Sequence, residues 1–304
     1  MIDDRDDLAR TPAHDLALSC VAAGIDTAHP ERVVRDALTV ESDQLRIDDS
    51  AIDLGGFDEV VVLGGGKAAA YAGAALETVL GDRLDGGVVV TNDPVETERV
   101  TVREGDHPVP SERGVESAKA VREAAEDADE DTLVLAVLTG GGSALLPAPA
   151  GGLELADLQS VTESLLAAGA PIVAVNAVRK HCSAIKGGQL ARAAAPAMVV
   201  TLLFSDVVGD DPAVIASGPT VPDPTTFADA RRTLDEFDID APDAVRERIE
   251  RGVDGEIEET PDTDDPVFEG TSIHVLANGR TAIDAARDVT ADAGFTPLVL
   301  AAGI

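Results

Sequence analysis

The stretch Glu59-Val-Val-Val-Leu-Gly-Gly-Gly-Lys67, with the alanine-rich run that follows it to Leu80, decides the fold class of this chain of 304 residues. A short apolar segment such as 59–63 is typical of a parallel strand buried on both faces, and the glycines predict a tight turn into a helix. The same order recurs, with further strands predicted at 87–91, 100–103, 132–138 and 198–204, and helices at 112–128, 155–168 and 176–194. This alternation predicts an α/β fold with a Rossmann-like, doubly wound, mostly parallel sheet flanked by helices.

The C-terminal part of the chain breaks this regular pattern. Residues 252–270 are acidic and poor in core formers, which predicts a linker or an exposed insertion. The elements predicted beyond it are a strand at 272–277, a helix at 281–293 and a strand at 297–301. One such unit cannot close a core alone, so it either joins the first sheet or begins another domain. We expect a first domain at 1–251 and the incomplete start of a second α/β domain at 271–304.

Composition and charge limit the function classes. The 57 acidic and 23 basic residues give a formal net charge of −34, which disfavours nucleic-acid binding through the general surface. Such a charge repels itself in dilute salt and is screened in concentrated salt, so we expect a halophilic protein, the alternative being an ordinary acidic one. No apolar run approaches the length that a bilayer requires, and the acidic first residues lack the cationic region of a signal peptide. These features predict a cytoplasmic protein.

Three unusual loops follow predicted strands, where open α/β sheets bind their ligands. The first, Gly64-Gly65-Gly66-Lys67, offers backbone N–H groups and a cation to a phosphate, or else only lets a helix pack closely on a strand. The second, Thr139-Gly140-Gly141-Gly142-Ser143-Ala144-Leu145, repeats this arrangement with two hydroxyls, or else is a turn in which Ser143 caps a helix. The third contains Asp206, Asp210 and Asp211, whose carboxylates suit Mg²⁺ or a proton acceptor, or else form a solvated face.

The densest group of cations lies between the second and third loops. Lysine occurs only at positions 67, 119, 180 and 186, and two of these four fall in the stretch 176–186. At helical spacing, Asn176, Arg179, Ser183 and Lys186 lie on or near one face, with Lys180 beside them. We expect this stretch to bind substrate or phosphate; the alternative is a helix that balances the surrounding acid.

Taken together and in order, these motifs resemble one family. The segments that carry the resemblance are 64–67, 105–110, 139–145, 176–181 with 185–188, 205–211 and 215–220. They are similar to those of the MOFRL-associated, or type-2, glycerate kinases, and the similarity extends over nearly the whole chain. The resemblance implies phosphorylation of D-glycerate by ATP with Mg²⁺, usually at the 2-hydroxyl, in a cleft between two α/β domains.

The resemblance also implies roles for individual residues. Lys67 matches the lysine that acts on the transferring phosphate, and Asp206 matches the active-site aspartate. The residues expected to bind substrate or phosphate are Gly64, Gly65, Gly66, Gly140, Gly141, Gly142, Ser143, Asn176, Arg179, Lys180 and Lys186, and those expected to bind Mg²⁺ are Asp210 and Asp211. The expected partners are D-glycerate and ATP, and neither nucleic acid nor a membrane is expected. Whether the protein forms a homodimer is left open.

One departure from the family concerns length. Family members continue into a C-terminal MOFRL domain with a Gly-Gly-Arg-type motif whose arginine serves the active site, whereas this chain ends at Ile304. We therefore expect a fragment with an incomplete cleft and little kinase activity. Two alternatives remain: an NAD(P)-dependent reductase of hydroxypyruvate or tartronate semialdehyde, and a non-catalytic module that binds a phosphorylated metabolite. The chain lacks the Gly-x-Gly-x-x-Gly fingerprint of dinucleotide-binding enzymes, which argues against the reductase.

Overall fold

A parallel sheet forms the centre of the molecule. The computed structural model describes residues 2–302. The strands are β1 (Leu38–Glu41), β2 (Gln44–Ile47), β3 (Ser50–Asp53), β4 (Glu59–Gly65), β5 (Gly86–Thr91), β6 (Val100–Glu104), β7 (Thr132–Thr139), β8 (Met198–Phe204) and β9 (Ser272–Ala277). Six of them form the main sheet in the order β6-β5-β4-β7-β8-β9, and every neighbouring pair is parallel. The predicted fold class is confirmed.

Helices cover both faces of this sheet. They are α1 (Arg5–Leu8), α2 (Pro12–Thr27), α3 (Pro30–Ala37), α4 (Ala69–Leu80), α5 (Glu112–Glu126), α6 (Gly142–Leu145), α7 (Leu155–Ala167), α8 (Ile172–His181), α9 (Gln189–Ala194), α10 (Phe227–Glu236), α11 (Asp243–Val253) and α12 (Gly279–Asp292). Helices α3 and α4 pack on one face, whereas α5 and α9 pack on the other. Helices α7, α8, α10 and α11 share a third apolar core. Within residues 2–302, no helix is long and apolar enough to cross a membrane.

Burial explains why the strands could be recognised. All eight residues of β7 are buried, because helices cover this central strand on both sides. The short sheet β1-β2-β3 is different: it is antiparallel, and residues of β3 are largely exposed. This small sheet was not predicted, since its four-residue strands carry no continuous apolar run.

The C-terminal elements differ in part from the expectation. Strand β9 pairs with β8 and forms one edge of the main sheet, so it joins the first sheet instead of starting another. The predicted strand at 297–301 is wrong, because these residues form no ladder. The segment 252–270 is also less exposed than predicted, since Thr260 and Pro261 are buried. The division of the chain into domains stays a prediction.

The long helix predicted at 176–194 is broken in two. Helix α8 ends at His181 and α9 begins at Gln189. The turn between them contains Gly187 and Gly188, whose φ angles of 58° and 77° are left-handed and stop a helix. Ser183 and Lys186 therefore lie in a turn, and helical spacing does not set their positions.

Candidate active site

Lys67 stands at the carboxyl end of β4, in a turn that the protein holds tightly. The N–H of Gly66 donates to Val90 O at 2.9 Å, that of Lys67 to Gly140 O at 2.9 Å, and that of Ala68 to Thr139 Oγ1 at 3.1 Å. The side chain of Lys67 is exposed and runs over Gly141, since a Cβ built on that glycine would lie 3.1 Å from both Cγ and Cε of the lysine. The lysine is thus fixed at its backbone, and its ammonium group has no hydrogen-bond partner in the described part of the chain.

The same hydrogen bonds correct the prediction for the first glycine loop. Gly64 and Gly65 belong to β4 and pair with both neighbouring strands, and the N–H groups of residues 66–68 already have acceptors in the protein. These amides are therefore not available to cradle a phosphate. The glycines instead permit close packing, which was the alternative interpretation of this loop.

The second glycine loop has the open amides that the first one lacks. The N–H groups of Gly140 and Gly141 have no acceptor within residues 2–302. Gly142 and Ser143 begin the short helix α6, where first-turn amides have no partner inside the helix. This loop can therefore offer backbone donors to an anion.

Asp206 meets the second loop from the end of β8. A Cβ built on Gly140 would lie 2.1 Å from Oδ2 of Asp206, so this carboxylate packs directly against the glycine. Lys67, Gly140 and Asp206 thus border one cleft, as expected from the common edge of parallel strands. We call it the Lys67 cleft; its lining includes Lys67, Ala68, Thr139, Gly140, Phe204, Ser205, Asp206, Ala277 and Asn278.

The two other aspartates of the third loop are not brought into the lining of this cleft. Oδ2 of Asp210 accepts a hydrogen bond from Nδ2 of Asn278 at 2.6 Å, and Oδ1 of Asp211 accepts one from the N–H of Ala213 at 2.9 Å. Among the described residues, no group of three or more His, Cys, Asp or Glu side chains is suited to hold a metal ion. Asp206 is the one carboxylate in the cleft lining.

On the other side of the second loop lies a cavity of about 230 Å³, which we call the Arg179 cavity. Its polar lining comprises His107, Gly141, Ser143, Thr162, Arg179, Ser183 and Lys186, and its apolar lining comprises Pro108, Pro110, Ala144, Pro147, Leu158, Val161 and Cys182. No Asp or Glu side chain lines it, although the chain carries a net charge of −34. A cavity lined by a guanidinium and an amino group and by no carboxylate favours an anionic ligand.

The two cations of this cavity come from separate elements. Arg179 lies on α8, and burial lowers the pKa of its guanidinium with no carboxylate opposing the effect. Lys186 lies in the turn after α8, where Ser183 Oγ accepts the N–H of Lys186 at 3.2 Å. The Nζ of Lys186 donates to Leu146 O at 2.7 Å. Burial, and secondly the charge of Arg179, lower the pKa of Lys186 from 10.5 to about 7.

Two predicted site residues lie behind the cavity wall. Lys180 is buried, its Nζ forms an ion pair with Oδ1 of Asp223 at 3.0 Å, and it does not line the cavity. Asn176 is also buried, and its Oδ1 accepts a hydrogen bond from Ser217 Oγ at 3.2 Å. Sequence reasoning gave no role to Ser217, although it lies in the segment 215–220, and it missed Asn278, because neither residue belongs to a charged cluster.

The region 16–250 matches the family model described as a domain of unknown function, DUF4147. Among curated proteins, the chain is 41% identical to a glycerate 2-kinase of Pyrococcus horikoshii, over 83% of this chain and 57% of that protein. It is 44% identical to an Agrobacterium vitis protein named provisionally as a hydroxypyruvate reductase, over 79% of this chain and 53% of that protein. The chain thus spans a little over half the length of these relatives.

A solved structure agrees with the fold. The crystal structure of glycerate kinase from Thermotoga maritima superposes with a TM-score of 0.77 at 32% identity, covering 94% of this chain and 64% of that one. The similarity to named glycerate kinases confirms the glycerate kinase part of the resemblance seen in the ordered motifs. The chain belongs to the DUF4147 family.

Proposed function

We propose that the protein transfers a phosphoryl group from ATP to D-glycerate and forms 2-phosphoglycerate. One observation carries the proposal: the carboxylate-free Arg179 cavity and the Lys67 cleft share the glycine loop that contains Gly140 and Gly141. The cavity suits the carboxylate of a small acid, and the cleft suits the terminal phosphates of a nucleotide. The acceptor and the donor would then meet across the glycine loop.

Each site residue has a part in this arrangement. Arg179 and Lys186 would bind the carboxylate of glycerate, since guanidinium and ammonium groups form charge-assisted hydrogen bonds with it. The free N–H groups of Gly140 and Gly141 would donate to oxygens of the transferring phosphoryl group. The ammonium of Lys67, which runs over Gly141, would neutralise charge on the same group.

The proposed transfer is a single displacement at the γ-phosphorus. The hydroxyl oxygen of glycerate forms a bond to the γ-phosphorus, the bond from this phosphorus to the bridging oxygen of ADP breaks, and the hydroxyl proton passes to Asp206. Asp206 suits this role because it is the one carboxylate in the cleft. Its oxygens are also of the kind that Mg²⁺ prefers; Mg²⁺ held there with the nucleotide phosphates would supply further charge neutralisation.

The name of the Agrobacterium vitis relative suggests a second activity, reduction of hydroxypyruvate. In dinucleotide-binding sheets, the amides of the first glycine turn bind the pyrophosphate of the cofactor. Here the N–H groups of residues 66–68 are already bonded to Val90, Gly140 and Thr139. This occupied turn favours the kinase over the reductase.

The kinase proposal is tested by incubating the protein with ATP, Mg²⁺ and D-glycerate and measuring ADP release. We expect ADP to form, at a low rate for a chain that spans a little over half the length of its relatives, in step with a phosphoglycerate that ³¹P NMR identifies as the 2-isomer. If the protein oxidises NADH with hydroxypyruvate and releases no ADP when ATP and D-glycerate are supplied, the kinase proposal is wrong and the reductase is favoured.

The low pKa of Lys186 predicts how glycerate binding changes with pH. The ammonium form binds a carboxylate and the neutral amine does not, so affinity is full below pH 7 and falls as the pH rises above the pKa of about 7. We expect the KM for D-glycerate to rise about tenfold between roughly pH 6.5 and 8.5. Initial rates at several D-glycerate concentrations across this range measure the effect.

The matched control is Lys186→Arg, because a guanidinium stays protonated throughout this range. We expect the variant to have a KM that is higher than wild type at neutral pH but nearly independent of pH. A wild-type KM that stays constant from acidic to basic buffer would contradict the assignment to Lys186.

We also propose that the protein works in a salt-rich cytoplasm, on the basis of its net charge of −34. Screening of self-repulsion should stabilise the fold, since the Debye length falls to about 3 Å at 1 M salt. We expect Tm to rise by at least about 10 °C between dilute buffer and molar KCl. For a chain of this size, this shift corresponds to a gain of a few kcal/mol in the free energy of unfolding. Calorimetry in KCl measures it, and a Tm that falls with added KCl would reject the proposal.

A further inference from the structure

Three side chains form a hydrogen-bonded row behind the Arg179 cavity. Ser143 lines the cavity, and its Oγ lies 2.8 Å from Oγ of Ser217. The Oγ of Ser217 donates in turn to Oδ1 of Asn176 at 3.2 Å. Ser217 and Asn176 are buried and do not line the cavity, so they act on a ligand only through Ser143.

The turn that carries Ser217 has an unusual backbone. Ala216 and Ser217 have φ angles of 51° and 64°, a left-handed conformation that costs a residue other than glycine on the order of 1 kcal/mol or more. The turn is held from outside, because the N–H of Gly187 donates to Ser217 O at 3.0 Å. This backbone bond ties Ser217 to the turn that bears Lys186.

With Oδ1 of Asn176 as the acceptor of the Ser217 hydrogen, the row has one direction, because each serine hydroxyl has a single hydrogen. The hydrogen of Ser217 goes to Asn176, so the hydrogen between the two serines comes from Ser143. Ser143 therefore has no hydrogen left for a ligand, and its remaining lone pair is what it presents to the cavity. It can accept a hydrogen bond from a ligand hydroxyl, but it cannot donate one to a carbonyl oxygen.

We infer that Ser217 is a positioning residue that makes the site select a hydroxy acid over the corresponding keto acid. The inference rests on the proposed function, in which Arg179 and Lys186 bind the carboxylate. In the complex without nucleotide, D-glycerate would offer its C2 hydroxyl hydrogen to Ser143, before that hydrogen passes to Asp206 in the transfer step. Hydroxypyruvate has a carbonyl oxygen at C2, which would meet the lone pair of Ser143 with no hydrogen between the two oxygens. A site that leaves such a polar group unpaired discriminates strongly between the two ligands.

Removing the hydroxyl of Ser217 tests this role. The experiment is to measure by calorimetry, without nucleotide, the Kd of D-glycerate and of hydroxypyruvate for wild type, Ser217→Ala and Ser217→Gly. Wild type should bind D-glycerate on the order of 30-fold more tightly. In both variants Ser143 can turn its freed hydrogen toward the cavity, so hydroxypyruvate should bind about tenfold more tightly than it does to wild type, and the ratio should fall to about threefold.

The two variants separate this effect from a folding defect. Glycine adopts the φ of 64° without strain, so Ser217→Gly should keep its fold even if Ser217→Ala does not. Ser117→Ala is the control, since Ser117 is an equally buried serine that donates to Glu104 O and does not line the cavity. It should keep the wild-type ratio.

The outcomes distinguish this inference from the function on which it rests. A folded Ser217→Gly variant with the wild-type ratio, or with both ligands weakened equally, would overturn the role of Ser217 and leave the kinase proposal standing. Absence of D-glycerate binding to wild type would overturn the proposed function and this inference together.

Discussion

Replacing Lys67 with Met is expected to lower the turnover number for D-glycerate phosphorylation by about a thousandfold. The ammonium group is the one permanent cation in the lining of the Lys67 cleft, and its backbone is fixed by the bond to Gly140 O. Methionine keeps the length and the packing over Gly141 but removes the charge. The Kd of D-glycerate should change less than threefold, because the proposed binding site of the acid is the Arg179 cavity.

ADP release under saturating substrates measures the turnover, and calorimetry measures the Kd. Lys119→Met is the matched control: Lys119 is an exposed lysine on α5 paired with Glu123 at 3.3 Å, and its removal should leave turnover unchanged. A Lys67→Met enzyme within tenfold of wild type would remove Lys67 from the chemistry. Loss of affinity alone would support the non-catalytic binding module instead.

The largest effect on stability is expected for Gly64→Ala. A Cβ at this position would lie 2.0 Å from the backbone oxygen of Val137, and the φ of 138° is itself unfavourable for alanine. Val137 belongs to β7, the central buried strand, so neither strand can move without disturbing both cores. We expect the free energy of unfolding to fall by about 4 kcal/mol or more, enough to leave much of the chain unfolded.

Chemical denaturation followed by circular dichroism measures this difference. Gly56→Ala is the control, because a Cβ there would have nothing within 4 Å and the backbone does not require glycine. It should change the free energy of unfolding by no more than about 0.5 kcal/mol. If Gly64→Ala unfolds within about 1 kcal/mol of wild type, the close contact between β4 and β7 is not as described.

The strands of the main sheet, and the polar loops that follow them, depend on local residues. This is why they could be predicted from the sequence. Each buried parallel strand is a continuous apolar run, and parallel strands place their carboxyl ends on one edge. Lys67, Gly140 and Asp206 follow three such runs, so their meeting in one cleft could be expected. The strands of the small antiparallel sheet have no such run and could not be recognised.

The cationic stretch shows where local residues are not enough. Arg179 and Lys180 are adjacent and carry the same charge, yet one lines the cavity and the other is buried against Asp223. The partner that decides this lies 43 positions away in the chain. The same holds for Ser217, which reaches Ser143 across 74 positions and Asn176 across 41. Contacts of this range depend on the assembled fold.

The absence of acid from the Arg179 cavity has a kinetic consequence. A dissolved carboxylate approaching this protein is repelled at long range by the net charge of −34 and attracted only near the cavity mouth. Added ions shorten the range of the repulsion, from about 10 Å at 0.1 M to about 3 Å at 1 M. The association rate constant of the substrate should therefore rise with ionic strength. Enzymes whose overall electrostatic field attracts their ligands show the opposite dependence.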